Sequence, residues 1–211
     1  GNSYSITLPK AKRDIIGQFR LFRRALRLDK CNVVPVGRNK KNLIIIRFGK
    51  VYHYDYESQS LTQTLELQNC RNVLHQSICV LEGLTIFFGE YGDNSARQEV
   101  PVYRSLDGGL NWEKVFIFPP GKIKHVHGCY WDPYEKKIWV LTGDFSGENY
   151  MIVADRNFKE VEQRGDGTQI WRACNVFFEK NSVAWIMDSQ LEDSRLISYD
   201  RSSKKVKKLD T

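Results

Sequence analysis

The segment SLDGGLNW, from Ser105 to Trp112, fills every fixed position of the pattern Ser-x-Asp-x-Gly-x-x-Trp. Ser and Asp side chains can bond nearby backbone N–H groups, and glycine can adopt the positive φ that tight turns require. A tryptophan that closes the pattern can anchor the turn by burial. The segment therefore predicts a hairpin turn built on Ser105, Asp107, Gly109 and Trp112, with an ordinary Asp-Gly-Gly hairpin as the alternative.

This turn lies inside a fourfold repeat. Four apolar runs each lead into a polar loop, and they read LIIIRFG (43–49), LTIFFG (84–89), IWVLTG (138–143) and VAWIM (183–187). The spacings between their last residues are 40, 54 and 44. A period of about 40 to 50 residues is typical of four-stranded propeller blades, whose loops absorb longer spacings.

Each apolar run has one β-rich run before it and two after it. The third runs all end on an aspartate, namely Asp55, Asp107, Asp155 and Asp200. Because the runs are rich in β-branched and aromatic residues, they predict strands. We expect an all-β propeller of about four four-stranded antiparallel blades, at residues 31–68, 69–119, 120–166 and 167–211.

The pattern at Ser105–Trp112 resembles the Asp-box, or BNR repeat, of the sialidase-like β-propellers. Segments such as FGEYGDN (88–94) and HVHGCYWDPYEKKIWVLTGD (125–144) are also similar to uncharacterised bacterial proteins with sialidase-like repeats. The resemblance implies a sialidase-like fold and a carbohydrate-related function. Such propellers usually close with six blades, so we expect either part of a larger ring or a four-bladed ring. The chain has no Arg-Ile-Pro-type motif and one complete Asp-box, so the resemblance bears on fold more than on sialidase activity.

Composition limits the class of protein. The 211 residues are 41% hydrophobic and 12% aromatic, which argues against disorder. No apolar run is long enough to span a membrane and the first residues are polar, so we expect a cytoplasmic protein. The five cysteines form no CxxC pair and are read as reduced thiols. We expect no cofactor and no metal, because His125 and His127 have no carboxylate or cysteine at a matching spacing.

Residues 1–30 differ in character from the repeats. Lys10–Lys30 holds eight basic and two acidic residues, with Ile15, Phe19, Phe22 and Leu26 at helical spacing. This pattern predicts a basic amphipathic helix, with an outer strand as a further element. The favoured interpretation is a solvated helix or strand whose apolar stripe packs against the first blade. The alternative is peripheral contact with an anionic membrane or with a phosphate-rich polymer. A net charge of +7 predicts weak attraction to acidic partners, but no specific nucleic-acid module is visible, and oligomeric state is not predicted.

Candidate functional residues come from the loops that enter the first strands and leave the second strands of the blades. These loops meet at one mouth of a propeller, opposite the turns between third and fourth strands. Aligned repeats place one group at the first strands and another directly after the second strands. The predicted catalytic residues are Glu90 and Asp144, and the predicted ligand-binding residues are His75, Tyr91, His127, Arg172 and Asp188. The alternative is that each is an ordinary loop residue.

Carboxylates, histidines and aromatic rings suit a hydroxyl-rich sugar, and arginine suits a carboxylated or sulfated one. Glycoside hydrolysis needs two carboxyl groups about 5 Å or roughly 6.5 to 9.5 Å apart. Carboxylates held in salt bridges with Arg47 or Arg172 would instead favour binding or structure. We therefore expect a glycan-binding or glycan-processing propeller, glycosidase-like if it is an enzyme, with a non-catalytic scaffold or protein-interaction propeller as the alternative.

Overall fold

The computed structural model describes residues 5–11, 14–25 and 30–209. The chain divides into two compact units, Gly1–Cys31 and Asn32–Thr211. The smaller unit contains helix α1 (Asp14–Gly17) and helix α2 (Arg20–Ala25). Within the described residues, no helix is long and apolar enough to cross a membrane.

The smaller unit differs from the single amphipathic helix predicted for Lys10–Lys30. Residues 18 and 19 form a turn and a bend that separate α1 from α2. The break follows Gly17, and glycine has one of the lowest helix propensities. Ile15, Phe19 and Phe22 are exposed, whereas Leu26 lies outside the described residues. The predicted apolar stripe is therefore divided, and residues 5–11 contain no strand.

The larger unit is all-β and has the β-propeller fold, with four four-stranded antiparallel sheets that we call blades 1 to 4. Each blade consists of strands consecutive in the chain, so neighbouring strands form hairpins. Blade 1 contains β1 Asn32–Val36, β2 Asn42–Arg47, β3 Lys50–Asp55 and β4 Ser60–Glu66. Blade 2 contains β5 Cys79–Leu81, β6 Thr85–Gly89, β7 Val100–Ser105 and β8 Glu113–Phe118, and blade 3 contains β9 His125–Asp132, β10 Lys137–Gly143, β11 Asn149–Ala154 and β12 Val161–Gly167. Blade 4 contains β13 Phe177–Phe178, β14 Ser182–Ile186, β15 Leu196–Asp200 and β16 Lys205–Leu209.

The first strands of blades 2 and 4 are shorter than the sequence predicts. A turn at residues 75 and 76, with Gln76 at φ 63°, precedes β5. A 3₁₀ helix, Gln169–Trp171, and an irregular segment precede β13. His75 and Arg172 therefore lie in the loops that lead into these strands and not in the strands themselves.

The core is formed between successive blades. Ile44 of blade 1 and Phe88 of blade 2 belong to one buried cluster. A second cluster joins blades 2 and 3 and includes Val102 and Val140. A third joins blades 3 and 4 around residues such as Trp139 and Trp185. Because side chains alternate along a strand, the sheets of blades 2 and 3 bury both faces.

Aspartates organise the turns between third and fourth strands. The carboxylates of Asp55, Asp107, Asp155 and Asp200 each accept hydrogen bonds from backbone N–H groups of the turn that follows. In blade 2 the hydroxyl of Ser105 also accepts a 2.8 Å bond from the Gly109 N–H. These turns lie at the end of each blade opposite the loops between second and third strands, because neighbouring strands are antiparallel.

Strand β9 contains a β-bulge at His127. Thr142 of β10 is opposite Val126, whereas the preceding residue, Leu141, is opposite Gly128, so His127 has no partner. The bulge exchanges the faces of the sheet on which odd- and even-numbered side chains of β9 lie. Beyond it, Cys129 enters the cluster between blades 2 and 3, and Tyr130 packs on the cluster between blades 3 and 4. Bulges of this kind often re-aim a side chain beside a functional site.

Candidate functional site

Asp144 is the centre of a charged cluster at the mouth end of blade 3. It follows β10, and Gly143 is opposite His125, so the start of β9 lies beside it. Its Oδ1 is 3.3 Å from His127 Nε2 and 3.1 Å from Arg172 Nη2. Its Oδ2 is 3.2 Å from Lys124 Nζ and 3.3 Å from His125 Nε2. We call these five residues the Asp144 cluster.

Backbone carbonyls fix both imidazoles of the cluster. His125 Nδ1 is 2.8 Å from the Gly92 carbonyl oxygen, and His127 Nδ1 is 2.8 Å from that of Ala173. Because a carbonyl oxygen only accepts hydrogen bonds, each Nδ1 carries the proton that it donates. Each Nε2 is consequently turned toward Asp144. The two rings are buried, with 3% and 1% of the residue exposed.

The cluster keeps Asp144 ionised. Burial by itself would raise the pKa of the Asp144 carboxyl. The neighbouring His125 and His127 outweigh burial and hold this pKa well below its usual range. Lys124 and Arg172 place two further cationic groups on the same carboxylate. The site therefore presents an ionised carboxylate surrounded by nitrogen atoms.

Aromatic rings border the cluster. The Tyr91 ring lies 4.1 Å, centroid to centroid, from that of His125. Phe145, the residue after Asp144, is 48% exposed. The cations of Arg97 and Lys124 lie 5.4 and 5.6 Å from the Phe145 ring centroid. An exposed ring with cations beside it is thus adjacent to the central carboxylate.

Blade 4 contributes a second carboxylate and a thiol. Asp188 Oδ2 is 4.0 Å from Arg172 Nη2 and accepts a 3.0 Å hydrogen bond from Cys174 Sγ. Burial, with the Asp188 hydrogen bond and charge, raises the pKa of the Cys174 thiol to about 12. Cys174 is therefore a neutral thiol that orients Asp188, not a reactive thiolate.

Glu90 occupies a different environment from Asp144, although both follow a second strand. Its carboxylate accepts hydrogen bonds from the Gln68 and Asn69 N–H groups, both at 2.8 Å, and from the Tyr103 hydroxyl at 2.9 Å. Glu90 is 2% exposed. It therefore anchors the segment between blades 1 and 2, and no contact among the described residues joins its carboxylate to Asp144.

The structure brings together most, but not all, of the residues that the sequence predicts for the site. Tyr91, His127, Asp144, Arg172 and Asp188 are linked by the contacts above. Glu90 is held apart by its own partners. His75 is exposed in the turn before β5, and no described contact joins it to the cluster.

Sequence reasoning missed Lys124, Phe145 and Cys174, and it missed the contact of Asp144 with both histidines. The sequence has no carboxylate at a matching spacing along the chain, which is why no metal was expected. Asp144 is distant along the chain, but antiparallel pairing of β9 with β10 places it beside both rings. Lys124 and Phe145 directly adjoin His125 and Asp144 in the sequence, so strand pairing would have identified them.

Comparison with known proteins identifies the fold. No protein-family model matches the sequence, and no curated protein matches it. Solved structures with a similar fold include TolB from Acinetobacter baumannii, with 12% identity, a TM-score of 0.51 and coverage of 85% of this chain and 43% of that one. An ancestral GH74 enzyme has 12% identity, a TM-score of 0.51 and coverage of 82% and 26%. The tricorn protease has 14% identity, a TM-score of 0.50 and coverage of 86% and 17%.

These neighbours are propeller-type proteins, and at such low identity they are evidence of fold alone. The chain is accordingly a β-propeller protein. It spans less than half the length of each of these three structures.

Proposed function

We propose that this protein is a glycan-binding β-propeller of the sialidase-like type, with the Asp144 cluster and its aromatic border as the binding site. The observation that carries the proposal is the exposed ring of Phe145 beside the charged groups of Asp144 and Lys124. Sugar recognition combines hydrogen bonds to hydroxyl groups with packing of an apolar sugar face on an aromatic ring. Both elements are present at this mouth.

The charges favour an acidic glycan. Asp144 and Asp188 can accept hydrogen bonds from sugar hydroxyl groups. Lys124 is 20% exposed at its side chain and can pair with a carboxylate or sulfate group of the ligand. Arg172, with 6% of its side chain exposed, links the two aspartates and holds them in place.

The contacts favour binding over hydrolysis. A glycosidase needs two carboxyl groups that flank the scissile bond. Glu90 is occupied by two backbone N–H groups and a tyrosine hydroxyl. Asp144 is held by Arg172 and Lys124. Neither carboxyl group is available as the acid of a hydrolytic pair, so we propose a binding site and not a glycosidase.

The turn at Ser105–Trp112 supports the sialidase-like assignment. Asp107 accepts hydrogen bonds from the Leu110 and Asn111 N–H groups at 3.1 and 3.0 Å. Trp112 Nε1 donates to the Gly109 carbonyl and to Thr64 of blade 1, both at 3.1 Å. The four fixed positions of the Asp-box pattern therefore each have a structural role in this turn.

Binding to an array of neutral, carboxylated and sulfated glycans tests the proposal. We expect acidic glycans to bind and to remain uncleaved. Phe145→Ala should weaken binding about 2- to 12-fold, because aromatic packing contributes roughly 0.5 to 1.5 kcal/mol. Lys124→Met should weaken binding of acidic glycans more than of neutral ones.

Phe177→Ala is the matched control, because Phe177 is an exposed aromatic residue of β13 that makes no described contact with the cluster. It should leave binding unchanged. Binding that survives Phe145→Ala and Lys124→Met would place the ligand elsewhere. An array without any bound glycan would contradict the proposal and favour a scaffold or protein-interaction propeller.

A further inference from the structure

We propose that His125, His127 and Asp144 bind one divalent transition-metal ion, of the class that includes Zn²⁺ and Co²⁺. One ligand atom from each residue can be chosen so that all three lie within 4.8 Å of one another. The histidines come from β9, and the carboxylate comes from the residue after β10. This proposal concerns the protein alone and does not depend on a glycan ligand.

The orientation of the two imidazoles is the first argument. Each Nδ1 donates its proton to a backbone carbonyl, so each Nε2 is turned toward a carboxylate oxygen 3.3 Å away. Histidines that bind metals almost always donate their other N–H to a carbonyl or carboxylate, as both rings do here.

The environment of His125 Nε2 is the second argument. This atom is buried and has no hydrogen-bond partner among the described residues, although Asp144 Oδ2 is only 3.3 Å away. His125 as a whole is 3% exposed. A buried polar atom without a partner is costly, and native structures seldom contain one without a reason. An ion coordinated by Nε2 supplies that partner.

The atom types select the class of ion. His125 Nε2 lies 3.3 Å from Oδ2 of Asp144 and His127 Nε2 lies 3.3 Å from Oδ1, so both imidazoles face the same carboxylate. Two imidazoles and one carboxylate suit zinc and its first-row neighbours, whereas magnesium and calcium prefer oxygen ligands. Three protein ligands leave a coordination position open to an oxygen atom of a ligand.

The cations beside Asp144 have distinct roles in this proposal. Arg172 bonds Oδ1 and holds the carboxylate in place from the outer shell of the site. Lys124 Nζ lies 3.2 Å from Oδ2 and makes a second charged contact with it. Since its side chain is 20% exposed, Lys124 can move toward solvent when the ion binds. It is therefore a competitor of the metal for Oδ2.

Metal titration of the chelator-treated full chain tests the proposal. Zn²⁺ is followed by calorimetry and Co²⁺ by visible absorption, with no glycan present. We expect one ion per chain. His125→Asn and His127→Asn should each weaken binding by about 100-fold or more, because outer-shell changes alone cost 10- to 100-fold. His75→Asn, which changes an exposed histidine outside the cluster, is the matched control and should bind as the unaltered protein does.

Lys124→Met provides a second arm that removes no metal ligand. Loss of the competing ammonium group should strengthen metal binding. The affinity should rise about tenfold if the Lys124–Asp144 contact contributes roughly 1.4 kcal/mol. Circular dichroism establishes that each variant is folded. The proposal is overturned if the unaltered chain binds neither ion, if binding survives both His125→Asn and His127→Asn, or if Lys124→Met weakens it. Because glycan is absent, failure here leaves the proposed function standing, and the reverse also holds.

Discussion

At the scale of single residues, the partners of a side chain determine its role more than its place in the repeat does. Glu90 and Asp144 occupy equivalent positions after the second strands of blades 2 and 3. Glu90 accepts hydrogen bonds from neutral donors and is buried between blades. Asp144 is surrounded by cations and imidazoles at the mouth. The first carboxylate is structural, and the second is the one that we propose binds a ligand or an ion.

Glu90→Gln should therefore lower stability. The substitution replaces one accepting oxygen with an amide nitrogen that faces a backbone N–H donor, which leaves a buried donor unsatisfied. An unsatisfied buried donor lowers the free energy of unfolding by about 1 to 3 kcal/mol. Because the acceptor in the unaltered protein is charged, we expect a loss near the upper end of this range. Urea unfolding with a fitted m value measures the effect.

Glu192→Gln, at an exposed position in the loop before β15, is the control and should change the free energy of unfolding by less than about 0.5 kcal/mol. A Glu90→Gln protein of unchanged stability would contradict the structural role and return Glu90 to the list of candidate catalytic residues.

At the scale of the element, the turn between β7 and β8 joins two blades as well as two strands. Gly109 has φ +95°, and a Cβ atom there would overlap Cδ1 of Ile44. Ile44 is fully buried in the cluster between blades 1 and 2, so it has no room to move. The glycine of the pattern is thus required both by the backbone and by packing on the neighbouring blade.

Gly109→Ala should destabilise the protein by about 2 to 4 kcal/mol, because backbone strain adds to overpacking. Gly121→Ala separates the two effects. Gly121 has φ +82° and nothing within 4 Å of an added Cβ, so it carries the backbone cost alone, about 1 to 2 kcal/mol. Thermal or urea unfolding of both variants measures the difference. Equal losses at the two sites would show that contact with blade 1 contributes nothing.

The strands were largely predictable from the sequence. Errors in where two of them begin explain part of what was missed at the site. The second, third and fourth strands follow long runs of β-forming residues, and the aspartates mark the turns. The short β5 and β13 were not predictable in length, because Gln76 at positive φ and the 3₁₀ helix Gln169–Trp171 interrupt sequences that otherwise favour strands. His75 and Arg172 were consequently assigned to strands and lie in loops.

The site was predictable as a region and not as a set of contacts. The ends of the second strands drew attention to Asp144 and Asp188, which the structure links through Arg172. The direction in which the Glu90 side chain points was not predictable, because the backbone donors that bind its carboxylate, Gln68 and Asn69, belong to the segment after blade 1. The approach of Asp144 to His125 likewise depends on strand register, which spacing along the chain does not specify.

At the scale of the whole larger unit, polar links accompany the hydrophobic contacts between blades. Arg201, after β15 of blade 4, is 2.6 Å from the carboxylate of Asp132, the last residue of β9 in blade 3. The Asp132 side chain is completely buried, and that of Arg201 is 9% exposed. Arg201 also lies 2.9 Å from Glu135. This ion pair joins two blades in a place from which water is largely excluded.

Arg201→Met should lower stability by about 3 to 5 kcal/mol, because it leaves the charge of Asp132 buried without its partner. The double variant Asp132→Asn/Arg201→Met should recover part of that loss, and a double-mutant cycle measures the coupling.

The exposed pair Lys41–Glu57, with 57% and 73% of the side chains accessible, is the control. Lys41→Met should leave stability nearly unchanged, because exposed ion pairs contribute little. Additive effects of the Asp132 and Arg201 substitutions would mean that the pair does not couple blades 3 and 4.

The bulge at His127 has a consequence for how this sequence should be compared with others. Before the bulge, the odd-numbered His127 lies on the blade 4 side of β9, where its Nδ1 contacts the Ala173 carbonyl, and beyond the bulge the even-numbered Tyr130 lies on that same side. An alignment of first strands by plain residue count would therefore match positions on opposite faces of the sheet. A one-residue gap at position 127 restores the correspondence. A relative lacking that residue would keep a regular strand and lose one of the three proposed ligands, so strand length itself becomes a marker of the site.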